Sequence, residues 1–287
     1  MKGIILAAGK GTRLSPATLP ISKILLPIYD RPMVYYPLTT LMMAGIKDVL
    51  IITNDTDLDN FKRTLGDGSQ FGISIQYMIQ YVQKGISDAF IIAEDFIAGD
   101  RVCLILGDNI FYGPSIGGQI SAAARSESGA TVFGIRVPDP ERFGVVEFDN
   151  DMKAISLEEK PKEPKSDYAV VGIYFYDSNV SAMAKTLKPS ARGELEITDL
   201  NRLYLERNEL EVRIFDESTE WVDAGTFDSL LSSSEFVRNK ESELGRKILC
   251  PEIMALEKGF ISKERMESWL DSNKENEYFS KIREQMS

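Results

Sequence analysis

The sequence predicts an α/β fold: a mostly parallel, mixed β-sheet flanked by helices. Two observations lead there. Strand-length apolar runs alternate with helix-period stretches from Gly3 to Leu106, and β-rich segments crowd the stretch beyond Thr131. Gly3-Ile4-Ile5-Leu6-Ala7 reads as a buried first strand entering a glycine-rich turn. Residues 32–44 carry helical spacing and stop at Gly45, a residue suited to a left-handed helix cap. A strand is expected over 48–53, a short helix over 59–65, an alternating strand over 73–77, a helix over 87–96 and an apolar strand over 101–106. Strands over 131–137, 144–148 and 169–176 follow, then a helix over 196–207 and a strand over 211–215. The last ~50 residues read as helical and strongly charged, either packed on the body or forming a partner interface.

Composition narrows the chemistry. The chain of 287 residues has a formal net charge of −11 and no basic stripe, so nucleic-acid binding is not expected. No apolar run approaches the ~20 residues of a spanning helix, so no membrane association is expected. The apolar N-terminal stretch is too short for a signal peptide. Cys103 and Cys250 are isolated and read as reduced thiols, which points to the cytoplasm. There is no histidine. Ser-His-Asp and Cys-His catalysis and His-ligated metals are therefore excluded. Carboxylates, lysines, arginines and backbone amides remain, a set suited to phosphoryl transfer, where positioning and charge neutralisation do most of the catalysis.

Four motifs carry that chemistry. In Leu6-Ala7-Ala8-Gly9-Lys10-Gly11-Thr12-Arg13-Leu14, glycines admit close backbone approach, free amides form an anion nest, and Arg13 adds a planar fork for phosphate. It is neither a Walker loop nor a dinucleotide fingerprint. Lys23, in Ser22-Lys23-Ile24-Leu25-Leu26-Pro27, is placed to return to the same phosphates; its plainer reading is a solvated surface lysine. Asp108, after the apolar run ending in Leu106-Gly107, is placed to hold a hard cation, or else to make an Asx turn. Asp223, in Trp221-Val222-Asp223-Ala224-Gly225-Thr226, supplies a second carboxylate that can share one metal.

Together these stretches resemble the sugar nucleotidyltransferases, most closely the glucose-1-phosphate thymidylyltransferases. Further matching segments are Leu65-Gly66-Asp67-Gly68-Ser69, Asp139-Pro140-Glu141-Arg142-Phe143-Gly144-Val145-Val146, Leu157-Glu158-Glu159-Lys160-Pro161 and Arg192-Gly193-Glu194-Leu195-Glu196-Ile197-Thr198-Asp199. They occur in order and span essentially the whole chain. The resemblance implies a Rossmann-like nucleotide-binding core and a sugar-binding part within residues 1–240, and a helical extension over 241–287 packed on the same domain. It implies Mg²⁺ held by Asp108 and Asp223, and a nucleotide held by Leu6, Ala7, Ala8, Gly9, Gly11 and Thr12. It further implies phosphates held by Arg13 and Lys23, with the base read at Gln80 and Gly85. Gly144, Glu159 and Val170 match sugar-contacting positions, and Lys160 and Arg192 match cations for the sugar phosphate. The implied reaction joins dTTP and glucose 1-phosphate into dTDP-glucose and pyrophosphate, in a homotetramer. Such an enzyme would serve deoxysugar or surface-polysaccharide synthesis.

The departures from the family pattern fall around the base and the sugar. Ala8 replaces a usual glycine, Ile24 a usual glutamine, Phe143 a common tyrosine and Ala224 a usual threonine. Within Gln80-Tyr81-Val82-Gln83-Lys84-Gly85-Ile86-Ser87-Asp88-Ala89 a usual proline is missing, and Ser87-Asp88 replaces Ala-Gln. Thymine and uracil differ by one methyl, worth ~1 kcal/mol of burial. Alternatives are thus preference for UTP, another hexose 1-phosphate, or a nucleotide-sugar sensor without turnover.

Overall fold

Residues 1–127, 129–273 and 276–286 are described in a computed structural model. In its first half β1 (Lys2–Leu6) precedes a small hairpin, β2 (Pro27–Ile28) and β3 (Arg31–Pro32), then α1 (Tyr35–Met43) and β4 (Asp48–Thr53). Next come α2 (Leu58–Leu65), β5 (Ser74–Ile79), α3 (Asp88–Ile92), α4 (Glu94–Ile97), β6 (Val102–Leu106), β7 (Asn109–Tyr112) and α5 (Ile116–Ala124). The second half holds β8 (Ala130–Arg136), β9 (Gly144–Phe148), β10 (Ala154–Glu159), β11 (Tyr168–Tyr176), α6 (Val180–Ala184), α7 (Ile197–Glu206), β12 (Leu210–Ile214) and β13 (Glu220–Asp223). Helices α8 (Phe227–Leu244), α9 (Pro251–Glu257), α10 (Lys263–Ser272) and α11 (Glu277–Met286) follow.

A strand covered on both faces has no polar side to present, and that is why β1, β4 and β6 read as continuous apolar runs. Ile5, Ile51, Cys103 and Ile105 point into one core layer with α1, α5 and α9; Ile4, Leu50, Ile52 and Leu104 point into the other with α3, α6 and α7. Each fully buried isoleucine or leucine contributes about 1.5–3 kcal/mol. The C-terminal helices join the first layer through Ile253, Met266, Leu270 and Ile282.

The large sheet runs β10-β9-β11-β6-β1-β4-β5, with β8 on β11 and β12 on β8. Strands β5, β4, β1 and β6 are mutually parallel, and β12 is parallel to β8; β11 is antiparallel to β6, β8 and β9, and β9 to β10. The sheet is thus mixed, its parallel half built by the alternating first hundred or so residues and its antiparallel half by the β-rich stretch after them. The chain leaves β1 toward β4 and β5, then crosses to β6 on the other side of β1. This reversal leaves a crevice at the carboxyl ends of β1 and β6, where ligands bind in open α/β sheets.

Several boundaries differ from expectation for local reasons. The helix expected from residue 32 starts at Tyr35, since Pro32 belongs to β3. The helix expected over 87–96 breaks at Ala93, whose ψ of 8° leaves helical geometry, giving α3 and α4. Helix α5 was hidden by Gly117 and Gly118, and β10 by its polar Ala-Ile-Ser-Leu-Glu-Glu sequence. No described helix is long and apolar enough to cross a membrane.

Candidate active site

The glycine-rich segment and Gly107-Asp108 leave neighbouring strands at that crevice. Leu6 is in register with Leu106, and the Gly107 amide donates to the Leu6 carbonyl at 3.0 Å. Gly11 takes φ +61°, and a Cβ there would stand 2.9 Å from Thr18 Cγ2, so the turn requires glycine. The Thr18 hydroxyl fixes it by donating to the Gly11 carbonyl at 2.8 Å. The backbone thus turns tightly enough to swing Arg13 over the crevice.

Asp108 and Asp223 meet because β13 pairs with β7, placing Asp223 opposite Asn109, while the Ala224 amide donates to the Asp108 carbonyl at 3.0 Å. Lys23 donates to Asp108 Oδ2, and Asn109 Nδ2 to Oδ1 at 3.1 Å. Burial works against the ionised Asp108, but Lys23 and the hydrogen bonds outweigh it and hold the carboxyl below its ordinary range. Asp223 moves the opposite way: burial, then the Asp108 charge, push it up against the pull of Lys23, Arg13 and Arg142. Two carboxylates that raise one another's cost of ionisation fit a divalent cation held by hard oxygen donors. Among the described residues no cluster of three His, Cys, Asp or Glu side chains adds a further ligand, so water and substrate oxygens would complete the shell.

A cavity of about 530 Å³ opens from this pair toward the antiparallel half of the sheet, lined among others by Arg13, Asp108, Asp223, Gly144, Glu159 and Val170. Glu159, at the end of β10, accepts from the Thr198 hydroxyl at the start of α7. Gly144 lies against both: a Cβ would be 2.8 Å from Thr198 Oγ1 and 3.4 Å from Glu159 Oε2. Lys160 Nζ is 3.9 Å from Glu159 Oε1. Asn109 Oδ1 accepts from Trp221 Nε1 at 2.7 Å and the Gly172 amide at 3.2 Å, and Trp221 meets the Phe143 ring edge-on at 5.2 Å. One wall thus carries acidic and basic groups, and the other a carboxylate among hydroxyl and aromatic groups.

A family model described as Nucleotidyl transferase matches residues 2–240. A Neisseria meningitidis protein named glucose-1-phosphate thymidylyltransferase is 53% identical over 278 residues, covering 97% of this chain and 96% of its own. A Mycolicibacterium smegmatis protein of the same name is 53% identical over 266 residues, 93% of this chain and 92% of its own. The chain belongs to the nucleotidyl transferase family. A solved Bacillus anthracis structure, assigned as a glucose-1-phosphate thymidylyltransferase and complexed with sucrose, superposes with a TM-score of 0.77. It is 46% identical, covering 83% of this chain and 96% of that one.

The expected site residues fall into those that line the cavity and those that do not. Arg13, Asp108, Asp223, Gly144, Glu159, Lys160 and Val170 line one cavity. Lys23 reaches the site through Asp108 and is no solvated surface lysine, its side chain being 14% exposed. Gln80, Gly85, Leu6, Ala7, Ala8, Gly9, Gly11 and Thr12 are not among the residues that line the cavity; Gln83 joins the two stretches by donating to the Ala8 carbonyl at 2.5 Å. Arg192 is not itself in the lining, but its guanidinium is bonded to Glu159, which is, as well as to Glu196 and Glu194. The lining also includes Arg142, Tyr174, Thr198 and Trp221, to which sequence reasoning gave no role. Arg142, Thr198 and Trp221 sat inside recognised motifs, though nothing in their spacing gave them a role; Tyr174 sat in none, and only the fold brings α7 and β11 to Glu159.

Proposed function

We propose that this nucleotidyltransferase joins a thymidylyl group from dTTP to glucose 1-phosphate, releasing pyrophosphate. The observation that carries the reading is the meeting of Arg13, Asp108 and Asp223 with Glu159 around one cavity. The names of the relatives at 53% identity support the choice of base and sugar.

In this reading the loop over 6–12 and Arg13 bind the triphosphate, with Lys23 beside them, while Gln80 and Gly85 contact the base. Gly144, Glu159 and Val170 hold the hexose, Glu159 accepting from its hydroxyls. Lys160 takes the sugar phosphate, and Arg192 reaches it by exchanging a carboxylate partner. A phosphate oxygen of the acceptor attacks the α-phosphorus in line. The new P–O bond forms as the bond from the α-phosphorus to the bridging oxygen breaks, and pyrophosphate departs with that electron pair. The phosphate monoester is largely ionised at neutral pH, so no base is needed. Asp108 and Asp223 would hold Mg²⁺, which neutralises phosphate charge when bound. Arg13 and Lys23 oppose the negative charge that grows on the leaving group.

Residues 1–240 form the catalytic domain in this reading, and 241–287 an extension on the same core. Free Cys103 and Cys250, and substrates too charged to cross a lipid bilayer unaided, support a cytoplasmic setting. Phe227 and Leu231, exposed one turn apart on α8, support assembly into the expected tetramer.

The test is pyrophosphate release with Mg²⁺, offering dTTP or UTP against glucose 1-phosphate or galactose 1-phosphate. Glucose-dependent release with dTTP is expected; a UTP rate matching it would make the base choice broader. No release from folded protein with any pair would sink the reading.

A further inference from the structure

We infer that Asp88 is a positioning residue that fixes which atom Gln80 presents to the base. The inference rests on the reading of Gln80 as a base contact. Gln80 Nε2 donates to Asp88 Oδ2 at 2.9 Å, and both residues are buried. A carboxylate only accepts hydrogen bonds, so the amide has one satisfactory orientation: nitrogen toward Asp88, oxygen away. A glutamine at position 88 would accept or donate equally well and impose no such choice.

The segment carrying Asp88 is held firmly. The Ser87 amide donates to the Leu195 carbonyl at 3.2 Å, and the Ser87 hydroxyl to the Glu196 carbonyl at 3.0 Å. The Leu195 amide closes the clamp on the Lys84 carbonyl at 2.6 Å. Gly85 adopts φ +100°, and a Cβ there would be 2.5 Å from the Leu195 carbonyl oxygen, so the two chains approach as closely as glycine allows. At its other end the Gln80 amide donates to the Thr53 carbonyl at 2.8 Å, and Gln83 reaches the Ala8 carbonyl. Gln80 Oε1 has no protein donor among the described residues and is not one of the buried orphan atoms.

A glutamine carbonyl oxygen accepts from the N3–H of thymine or uracil. Cytosine presents a lone pair at N3, which meets that oxygen acceptor to acceptor. Asp88 thereby makes the site reject cytosine through a polar mismatch, a stronger discriminator than pocket size alone. In Asp88→Asn the new amide can donate to Gln80 Oε1, freeing Gln80 to turn its nitrogen toward cytosine.

The experiment measures kcat/KM for dTTP and dCTP with glucose 1-phosphate in the parent, Asp88→Asn, Gln80→Ala and the double variant, each checked for an unchanged thermal midpoint. Asp88→Asn is expected to lower the dTTP:dCTP ratio by about tenfold or more, with KM for glucose 1-phosphate unmoved. In the Gln80→Ala background the same change should shift the ratio less than about twofold, as pairwise coupling requires. Asp88→Ser, which cannot hold the amide in one orientation, replaces Asp88→Asn if the latter does not fold. A parent-like ratio in a folded Asp88 variant, with Gln80→Ala impaired toward dTTP, overturns the positioning role alone. A Gln80→Ala variant with parent-like KM for dTTP overturns the base-contact reading and this inference with it.

Discussion

The ammonium of Lys23 is hydrogen-bonded to Oδ2 of Asp108, so the cation of the second motif and the carboxylate of the third form one unit across 85 residues of chain. The pairing favours the ionised form of Asp108, as a divalent cation held there would require, while burial and the Asp108 charge work against ionisation of Asp223. Replacing Asp108 by Asn keeps the shape and removes the charge. Pyrophosphate release is expected to fall by about 10²–10³-fold, chiefly in kcat, and chelation of divalent cations should abolish the parent's activity. Undiminished turnover by the Asn variant would remove Asp108 from the metal site.

Gly225 sets the distance between Arg13 and Asp223. A Cβ at Gly225 would lie 2.6 Å from Arg13 Nη2 and 2.9 Å from Asp223 Oδ1, so a methyl group must displace the guanidinium or the carboxylate. Gly225→Ala should therefore raise KM for the nucleotide and lower kcat together, by about 10²-fold for a displacement near 1 Å. Since the methyl presses on side-chain ends rather than on the core, the thermal midpoint should move little. Parent kinetics in this variant would mean that Arg13 can swing aside without loss, and hence that its position is not used.

Strands β1, β4 and β6 were legible because they are apolar on both faces, β5 because it alternates, and the glycine-bearing loops after β1 and β6 carried Arg13 and Asp108 with them. Asp223 was legible as a carboxylate after a strand, but its pairing opposite Asn109 was not, since β7 and β13 are short and more than a hundred residues apart. Glu159 beside Lys160 reads in sequence as a surface ion pair. Only the approach of α7 supplies Thr198 and turns that carboxylate into part of a cavity wall. The acceptors around Arg192 had the same fate: Glu194 and Glu196 are near in sequence, yet nothing in their spacing announces that both bind its guanidinium.

Glu159 can accept from the Thr198 hydroxyl and still offer an oxygen to a hexose hydroxyl. Glu159→Gln replaces one acceptor by a donor in a wall where Thr198 already donates. KM for glucose 1-phosphate should rise by about 10–100-fold, the scale of a buried polar mismatch, with nucleotide binding in the absence of sugar unchanged. An unchanged sugar KM would place the hexose elsewhere in the cavity.

Stability should be most sensitive at Glu241, which lies outside the catalytic cavity. It accepts from Arg31 Nη2 through Oε1 and from Lys247 Nζ at 2.8 Å through Oε2, tying the β2–β3 hairpin to α8; Asp30 also pairs with Lys247. The Arg31 and Lys247 side chains are each 1% exposed. Arg31 Nη1 is already a buried donor without a partner. Glu241→Ala would leave the Arg31 guanidinium with only Asp30, at 3.3 Å, for a carboxylate partner. Breaking such a buried network by removing one member costs about 3–5 kcal/mol, enough to lower the thermal midpoint by about 10 °C in a chain of this size. Glu241→Gln keeps an acceptor for the Ile248 amide, now bonded to Oε1 at 3.2 Å, and should lose less. Activity at 25 °C should stay near parental in both. Equal loss in the two variants would assign the effect to packing rather than charge, and no loss would mean that water replaces the carboxylate at this site.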